Sequence, residues 1–550
     1  MDQLQPSEIA SCQSIPDAFW LAESVYSDKE WIVDLQPMRP PIRLSFTQSA
    51  KLVRQLAWAD QVLGLTCSDR FAIWMPNVHE WILCAIAGLA TGASLVPINT
   101  RFKGIEASYL LEKSRAKVIF IVNSFAGNNY LDMIKAEISS GRCENLETVV
   151  VVDLTLEGSS YSHQFGKVKL IDWDSFMQLG NGGRNQFKLP EIVSDAISDI
   201  IFTSGTTGNP KGVKSSHFQT LKVFDAWSQI VGLKQSDRYL VINPFFHTFG
   251  YKAGIIASIT TGCTIYPMAL LDIDRLLEVV SEEQISVLPG PPTLYSSILD
   301  KVSVNPSRLS SLRLAVTGAA MVPVELIRRM SDELHFETVL TAYGLTESTG
   351  TVTMCRQGDS PEIVANTCGR PIPDTQVKVV GEDGLEMGRG LPGEVVVRGY
   401  NVMTGYFEDE EQTKLAIDSQ GWLHTGDIGV MDAQGYLKIT DRKKDMFIVG
   451  GFNAYPAEIE NILTSNEHVS QSAVIGVPDE RMGEVGMAFI VLKPGHLLSE
   501  VELLEWAREN MANYKVPRKI VFCDELPLNA SGKVLKTELR KFASGISTSN

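Results

Sequence analysis

The sequence is short of what an exported, nucleic-acid-binding or metal-cluster protein needs. Its eight cysteines are scattered from Cys12 to Cys523 in 550 residues, and no two stand at CxxC or metal-ligand spacing. They read as reduced thiols, which excludes a disulfide framework and a zinc site of ordinary spacing. Basic charge is also scarce: 49 Lys and Arg against 65 Asp and Glu leave a net charge of −16. That is the wrong sign for gripping a nucleic-acid backbone, although small anions need only a local cluster of donors. The opening residues MDQLQPSEIA lack the basic start and apolar core of a signal peptide, and the final STSN carries no peroxisomal or prenylation signal. A cytoplasmic location is therefore expected. Long apolar runs are missing as well. The uncharged stretch from Trp81 to Ile98 approaches a membrane span in length, but Gly88, Gly92 and Pro97 interrupt it. It reads as a buried helix, a glycine stop and a buried strand, so no stable membrane insertion is expected.

What remains is a globular composition, 44% hydrophobic and 21% charged, in a chain too long for one core. Strand and helix signals alternate over residues 48–125 and again from about 196. AISDIIFT, RYLVIN, CTIYP, ISVLP, LRLAVTG and TVLTAYG read as strands, while YKAGIIASI, DIDRLLEVVSEEQ and VPVELIRRMSDEL read as helices. Ser216 and Gln219 form a capping-box pattern ahead of a helical face made by Leu221, Phe224, Trp227 and Val231. Such alternation predicts an α/β fold with doubly wound, mostly parallel sheets. Near Thr375 the pattern changes. QVKVV, EVVVRG and YLKIT are separated by GEDG and DAQG turns, which predicts an antiparallel β unit. After DRKKD comes a small α+β unit: strand MFIVG, a helix opened by Pro456, strands SAVIGV and MAFIVL, and helix EVELLEWAREN.

The first parallel strand of the second alternating stretch ends in TSGTTGNPKG, Thr203 to Gly212. Gly205, Gly208 and Gly212 would let backbone N–H groups approach a phosphate, Ser204, Thr206 and Thr207 add hydroxyl donors, and Lys211 adds charge. The order does not fit the Walker A loop, GxxxxGK[ST]. A structural glycine turn would look the same in isolation.

The loop is not isolated. TAYGLTES follows from Thr341, GWLHTGDIG from Gly421, DRKKDMFIVGGFNAYPAEIE from Asp441, and LPLNASGK ends at Lys533. Together with TSGTTGNPKG these resemble the ordered signatures of the adenylate-forming superfamily, in particular its acyl-CoA synthetases. The resemblance covers nearly the whole chain. It implies ATP, Mg²⁺ and CoA as reactants: a carboxylic acid becomes an acyl-AMP with release of pyrophosphate, then an acyl-CoA with release of AMP. A carboxylate is already ionised near neutral pH, so this chemistry needs alignment and charge stabilisation rather than a general base.

The same resemblance implies roles. Thr203, Ser204, Gly205, Thr206, Thr207, Gly208 and Lys211 would close over the β- and γ-phosphates. Gly318, Ala319 and Ala320 would line the adenine and acyl pockets. In YGLTE, Tyr343 with Gly344 would take the adenine, Thr346 the α-phosphate, and Glu347 the Mg²⁺ ion. Asp427 would accept the ribose hydroxyls, supported by Arg442. Lys533 would swing in to stabilise the adenylation transition state, Lys444 would be the hinge, and Gly450 and Gly451 would leave a passage for the pantetheine arm of CoA. His247 would gate the acyl pocket, although a lone histidine also suits a core. Lys252, out of place in YKAGIIASI, would either snorkel to solvent or meet a substrate oxygen. The implied domains are an AMP-binding domain over 1–443, with an antiparallel subdomain at about 370–440, and a mobile lid over 444–550.

NPFFHTFGYKAGI, VLPGPPTLYSSILD, LTAYGLTE and GGFNAYPAEIE resemble bacterial acyl-CoA synthetases, and among these the chain is similar to the ligases that activate the indanedione propanoate left from steroid rings C and D. That acid is the preferred expectation, a medium- or long-chain fatty acid the next, and an aromatic acid the third. Transfer to a carrier protein or another non-CoA acceptor, and a silent binding module, are the alternative classes.

Overall fold

Short strands without polar alternation leave no face for water, and VIFIV (Val118–Val122) and TVVVV (Thr148–Val152) are buried along their whole length. The computed structural model describes residues 6–37, 39–154, 163–183, 188–204, 209–302, 309–318, 322–381, 383–442, 447–454, 456–527, 534 and 536–547. The chain forms two units, one of residues 1–100, 108–201 and 212–440, the other of 101–107, 202–211 and 441–550. Its class is the expected α/β one.

Among the described residues the largest sheet has nine strands. Their order is Gly405–Tyr406, Pro210–Ser216, Ile197–Ser204, Ser94–Pro97, Arg70–Trp74, Val118–Val122, Thr148–Val152, Val168–Asp172 and His163–Phe165. From Ile197–Ser204 to Val168–Asp172 the neighbours are parallel, and both outermost strands pair antiparallel. The stretch tested above as a membrane span is the helix His79–Ala90, buried at every position after His79, followed by Gly92 at φ +83° and the strand Ser94–Pro97. Gly88 packs directly on the Phe71 ring, which a Cβ would meet at 2.4 Å. Burying Trp81, Ile82, Leu83, Ile86 and Leu89 stabilises by about 1.5–3 kcal/mol each, against a helix-propensity loss at Gly88 of about 1 kcal/mol. Among the described residues no helix is long and apolar enough to cross a membrane.

A second sheet runs Arg238–Val241, Thr264–Pro267, Glu30–Asp34, Ile42–Ser45, and a third Leu314–Gly318, Thr338–Tyr343, Thr353–Met354, Arg370–Pro371. Val287 bridges them, to Tyr239 on one side and Leu314 on the other. ISVLP, expected as a full strand, supplies only these bridges. YKAGIIASI also differs from expectation: Phe249–Ile256 is a π-helix and only Ala257–Thr261 is α-helical. The expected antiparallel sheet runs Thr375–Val380, Pro392–Gly399, Leu423–Met431, Leu437–Arg442. Its third strand was not foreseen, because its TGD segment reads as a turn.

In the second unit, Gly483–Leu492 pairs with Val469–Asp479, Phe447–Val449 and Lys519–Phe522. The helices Pro456–Thr464 and Glu500–Asn510 contribute Ile459, Leu463 and Leu503 to its core. Inside the same unit Lys515 is buried with Nζ 2.8 Å from Glu106 Oε1 and 2.5 Å from Glu458 Oε1. These two carboxylates raise its pKa against the cost of burial.

Candidate active site

Two parallel strands of the first unit end side by side. Leu314–Gly318 pairs with Thr338–Tyr343 so that Gly318 lies opposite Ala342, and the chain then turns at the carboxyl edge, where α/β sheets place ligands. A Cβ on Gly344 would lie 2.2 Å from the Gly350 carbonyl oxygen, so only glycine lets the two backbones approach. The turn is locked from within. Leu345 N–H donates to Ser348 Oγ at 3.1 Å, and the Ser348 hydroxyl donates back to Leu345 O at 2.9 Å. It is held from outside as well: Met403 N–H donates to Glu347 O, Thr349 Oγ1 to Asn401 O, and Asn401 Nδ2 to Thr351 O, all at 2.8–2.9 Å. Thr346–Ser348 forms one 3₁₀ turn on this platform.

The structure draws four predicted residues together here. The Tyr343 hydroxyl donates to Asp427 Oδ2 at 2.6 Å. Asp427 is buried on Leu423–Met431, where its N–H donates to Thr425 Oγ1. The Tyr406 hydroxyl donates to Glu347 Oε1 at 3.1 Å, while Thr346 precedes Glu347 on the same turn. A carboxylate, an aromatic ring and a second carboxylate thus share one rigid edge, an arrangement suited to a ribose, a base and a cation respectively. Tyr406 and Asn401 were missed in the sequence. The signal for them, polar and aromatic residues crowded into RGYNVMTGYF after a strand, becomes legible only once Glu347 is seen beside it.

Among the described residues the three-ligand cluster of metal-binding type is Asp34, His79 and Glu80. Arg39 fills it, donating to Asp34 Oδ2 at 2.8 Å and to Glu80 Oε1 and Oε2 at 2.5 and 2.9 Å. Among the described residues Glu347 belongs to no such cluster. Mg²⁺ is commonly held by one or two carboxylates plus phosphate oxygens and water, and Glu347 would supply one such carboxylate.

Other predicted positions lie elsewhere or outside the described residues. Thr203 and Lys211 are half-buried on the strands flanking the loop. Gly205, Thr206, Thr207, Gly208, Ala319, Ala320, Lys444 and Lys533 lie outside the described residues, as do the side chains of Ser204 and Arg442. In the second unit Gly450 and Gly451 have φ of +55° and +86°. The backbone itself therefore favours glycine there, independently of any passage.

Lys252 neither snorkels nor waits for substrate. It is fully buried, with Nζ 2.9 Å from Asp199 Oδ1 on the strand that leads into the glycine loop. Ser198 Oγ donates to the other carboxylate oxygen at 2.7 Å. The ion pair compensates a charge that burial would otherwise expel. Nearby His217 accepts from Ile15 N–H through Nδ1 at 3.2 Å, so its proton sits on Nε2. Burial, with Lys252 adding to it, pushes its pKa down to about 3. His247 is different. Its side chain keeps solvent-accessible surface, yet surrounding protein desolvates the ring enough to lower its pKa.

The residue after His247 packs against the turn that carries Thr346 and Glu347. Thr248 Cγ2 abuts Gly350, where a Cβ would meet it at 2.4 Å and Phe224 Cζ at 3.4 Å. Trp227 meets Phe249 edge-on at 6.2 Å and lies 6.4 Å from Phe224. The helix His217–Val231 and the π-helix thus close on the back of the turn bearing Thr346 and Glu347.

Comparison with known proteins matches residues 19–407 to the AMP-binding enzyme family and 458–533 to the AMP-binding enzyme C-terminal domain. The chain is 45% identical over 508 residues, 91% of its length and 94% of the relative's, to a 3-[(3aS,4S,7aS)-7a-methyl-1,5-dioxo-octahydro-1H-inden-4-yl]propanoyl:CoA ligase of Rhodococcus jostii (strain RHA1). It is 33% identical to the mitochondrial medium-chain acyl-CoA ligase ACSF2 of Bos taurus, over 91% of this chain and 83% of that one. A structure of o-succinylbenzoate CoA synthetase from Bacillus subtilis superposes with a TM-score of 0.79 at 25% identity, covering 96% of this chain and 98% of that one.

Proposed function

The chain belongs to the AMP-binding enzyme family and is an AMP-forming acyl-CoA ligase, and from that premise we propose that its acid is a bicyclic diketo propanoate of the indane type. The observation behind this substrate is the 45% identity, sustained over 91% of the chain, to a ligase named for that acyl group. A medium-chain fatty acid is the second reading, favoured by the 33% identity to ACSF2.

Asp427 accepts the ribose hydroxyls with the lone pairs that Tyr343 leaves, supported by Arg442. Tyr343, its ring fixed by that hydrogen bond, packs on adenine beside Gly344, Gly318, Ala319 and Ala320. The loop from Thr203 through Ser204, Gly205, Thr206, Thr207 and Gly208 to Lys211 holds the β- and γ-phosphates. Thr346 donates to the α-phosphate, and Glu347, oriented by Tyr406, provides the carboxylate for Mg²⁺. When bound, Mg²⁺ offsets the negative charge of the triphosphate. A carboxylate oxygen of the acid attacks the α-phosphorus, the bond to the bridging oxygen breaks, and pyrophosphate leaves with the electron pair. Lys533 stabilises that transition state. The thiol sulfur of CoA, as thiolate, then attacks the acyl carbon and AMP leaves. His247 borders the acyl recess, and Gly450 and Gly451 border the pantetheine arm.

We assign 1–443 to the AMP-binding domain and 444–550 to a lid hinged at Lys444. The cytoplasm, which supplies ATP and CoA, suits the eight unpaired cysteines. The test is a panel of acids with ATP, Mg²⁺ and CoA. The diketo propanoate should give the highest kcat/KM. A higher value for decanoate would transfer the assignment to fatty acids.

A further inference from the structure

One buried amide holds the turn that carries His247. Asn77 lies between the strand Arg70–Trp74 and the helix His79–Ala90 and is 4% exposed. Its Nδ2 donates to Val241 O at 3.2 Å and to Asn243 O at 2.9 Å, and its Oδ1 accepts from Phe245 N–H at 2.8 Å. The last two bonds fall on either side of Pro244, which has no N–H of its own. Pro244 O in turn accepts from His247 N–H at 3.0 Å, and His247 O accepts from Tyr251 N–H, in the π-helix, at 3.0 Å. Gly250 lets that helix close on the same spot, since a Cβ there would lie 2.2 Å from Pro244 O and 2.3 Å from Asn243 O. Asn77 is itself anchored. Its carbonyl oxygen accepts from Gln36 Nε2 at 3.2 Å, which also donates to Asp34 Oδ1 at 2.8 Å and Pro267 O at 3.2 Å.

A side-chain amide both donates and accepts, where a carboxylate only accepts and an alkyl chain does neither. The three bonds of Asn77 run to main-chain atoms 164, 166 and 168 positions away. They therefore fix the backbone from Val241 to Phe245, two residues short of His247, rather than the chain around Asn77. The His247 side chain is exposed, and among the described residues no hydrogen bond holds its imidazole. Such a ring takes its place from the backbone that carries it. We propose that Asn77 is a positioning residue for the reaction, fixing the Asn243–His247 turn and through it the imidazole. The inference rests on the reading of His247 as a residue bordering the acyl site and adds what holds it there.

The test is a double-variant cycle on the full chain. ATP–pyrophosphate exchange gives kcat/KM for the most active acid of the panel, and KM for ATP, in the wild type, Asn77→Ala, Asn77→Asp, His247→Ala and Asn77→Ala combined with His247→Ala. His247→Ala and Asn77→Ala should each lower kcat/KM for the acid at least about tenfold, with KM for ATP within about twofold of wild type. Asn77→Asp keeps the volume and the acceptor for Phe245 but loses both donors. It should fall as far, so that a packing defect cannot account for the loss. The combined variant should stay within about twofold of His247→Ala alone, because a residue acting only through His247 then has nothing left to position. Losses that multiply, a KM for ATP that rises as much as that for the acid, or wild-type activity in Asn77→Asp would overturn the inference. So would failure of both Asn77 variants to fold, which would assign the amide to the fold alone. His247→Ala with wild-type kcat/KM would instead overturn the reading of His247, and this inference with it.

Discussion

His217 is a neutral imidazole sealed in the interior between Ile15 and Lys252. Its pKa is about 3 in the folded chain and about 6.5 when unfolded. Between those values the unfolded state binds the extra proton, so stability is lost as pH falls from about 6.5 toward 3, by on the order of 5 kcal/mol in full. His217→Gln keeps an acceptor for Ile15 and removes the titration. Its melting temperature should lie below wild type at pH 7.5, with the gap narrowing by pH 4.5. A gap independent of pH would contradict this. Lys252 and Asp199 make the second residue-scale case. Lys252→Met leaves Asp199 buried and unpaired, at a cost of about 3–5 kcal/mol, read as a lower urea midpoint. Adding Asp199→Asn should recover much of the loss, and an additive double variant would refute the pairing. Lys252 stood out in the sequence as a charge among apolar neighbours. Its partner, 53 positions earlier, is a tertiary fact that no local pattern encodes.

At the scale of elements, the clearest case is the turn from Gly344 to Gly350. A methyl group at 344 would meet backbone, not a flexible side chain, at 2.2 Å, so the turn cannot absorb it. Gly344→Ala should displace Thr346 and Glu347 and reduce ATP–pyrophosphate exchange at least about tenfold, a near-attack geometry being sensitive to shifts of about 1 Å. Wild-type exchange in that variant would show that the turn does not position the chemistry. The YGLTE motif and the strand before it were readable, because strand periodicity and a glycine break coincide there. The π-helix was not. Phe249–Ile256 is buried through most of its length, so no polar face records whether the turn takes 3.6 residues or more. Leu423–Met431 was hidden for the opposite reason. Its alternation is diluted by Thr425, Gly426 and Asp427, residues kept where a strand also has to present a buried carboxylate.

At the scale of the molecule, the proposal requires two half-reactions served by different parts of one chain. Lys533→Ala should nearly abolish adenylation while sparing thioester formation from supplied acyl-AMP. Equal loss of both would contradict the role. For the pantetheine passage, Gly451 has φ +86°, so every side chain there strains the backbone and a single substitution is ambiguous. Asn tolerates positive φ better than most residues, which makes Gly451→Asn the control for Gly451→Trp. The tryptophan variant should lose thioester formation and keep adenylation, while the asparagine variant keeps both. Equal loss in the two would assign Gly451 to backbone geometry alone. The order of motifs announced these parts in the sequence, since each is a short run with fixed chemistry. Which acid is activated was less legible, because no short run of fixed chemistry in the sequence marks the acyl end of the substrate.

The most direct measurement is the product balance when the purified chain is given ATP, Mg²⁺, CoA and the diketo propanoate. The account predicts one pyrophosphate, one AMP and one acyl-CoA for each ATP consumed, with pyrophosphate still released when CoA is withheld. ADP and phosphate in their place, or no pyrophosphate with any acid in the panel, would contradict it.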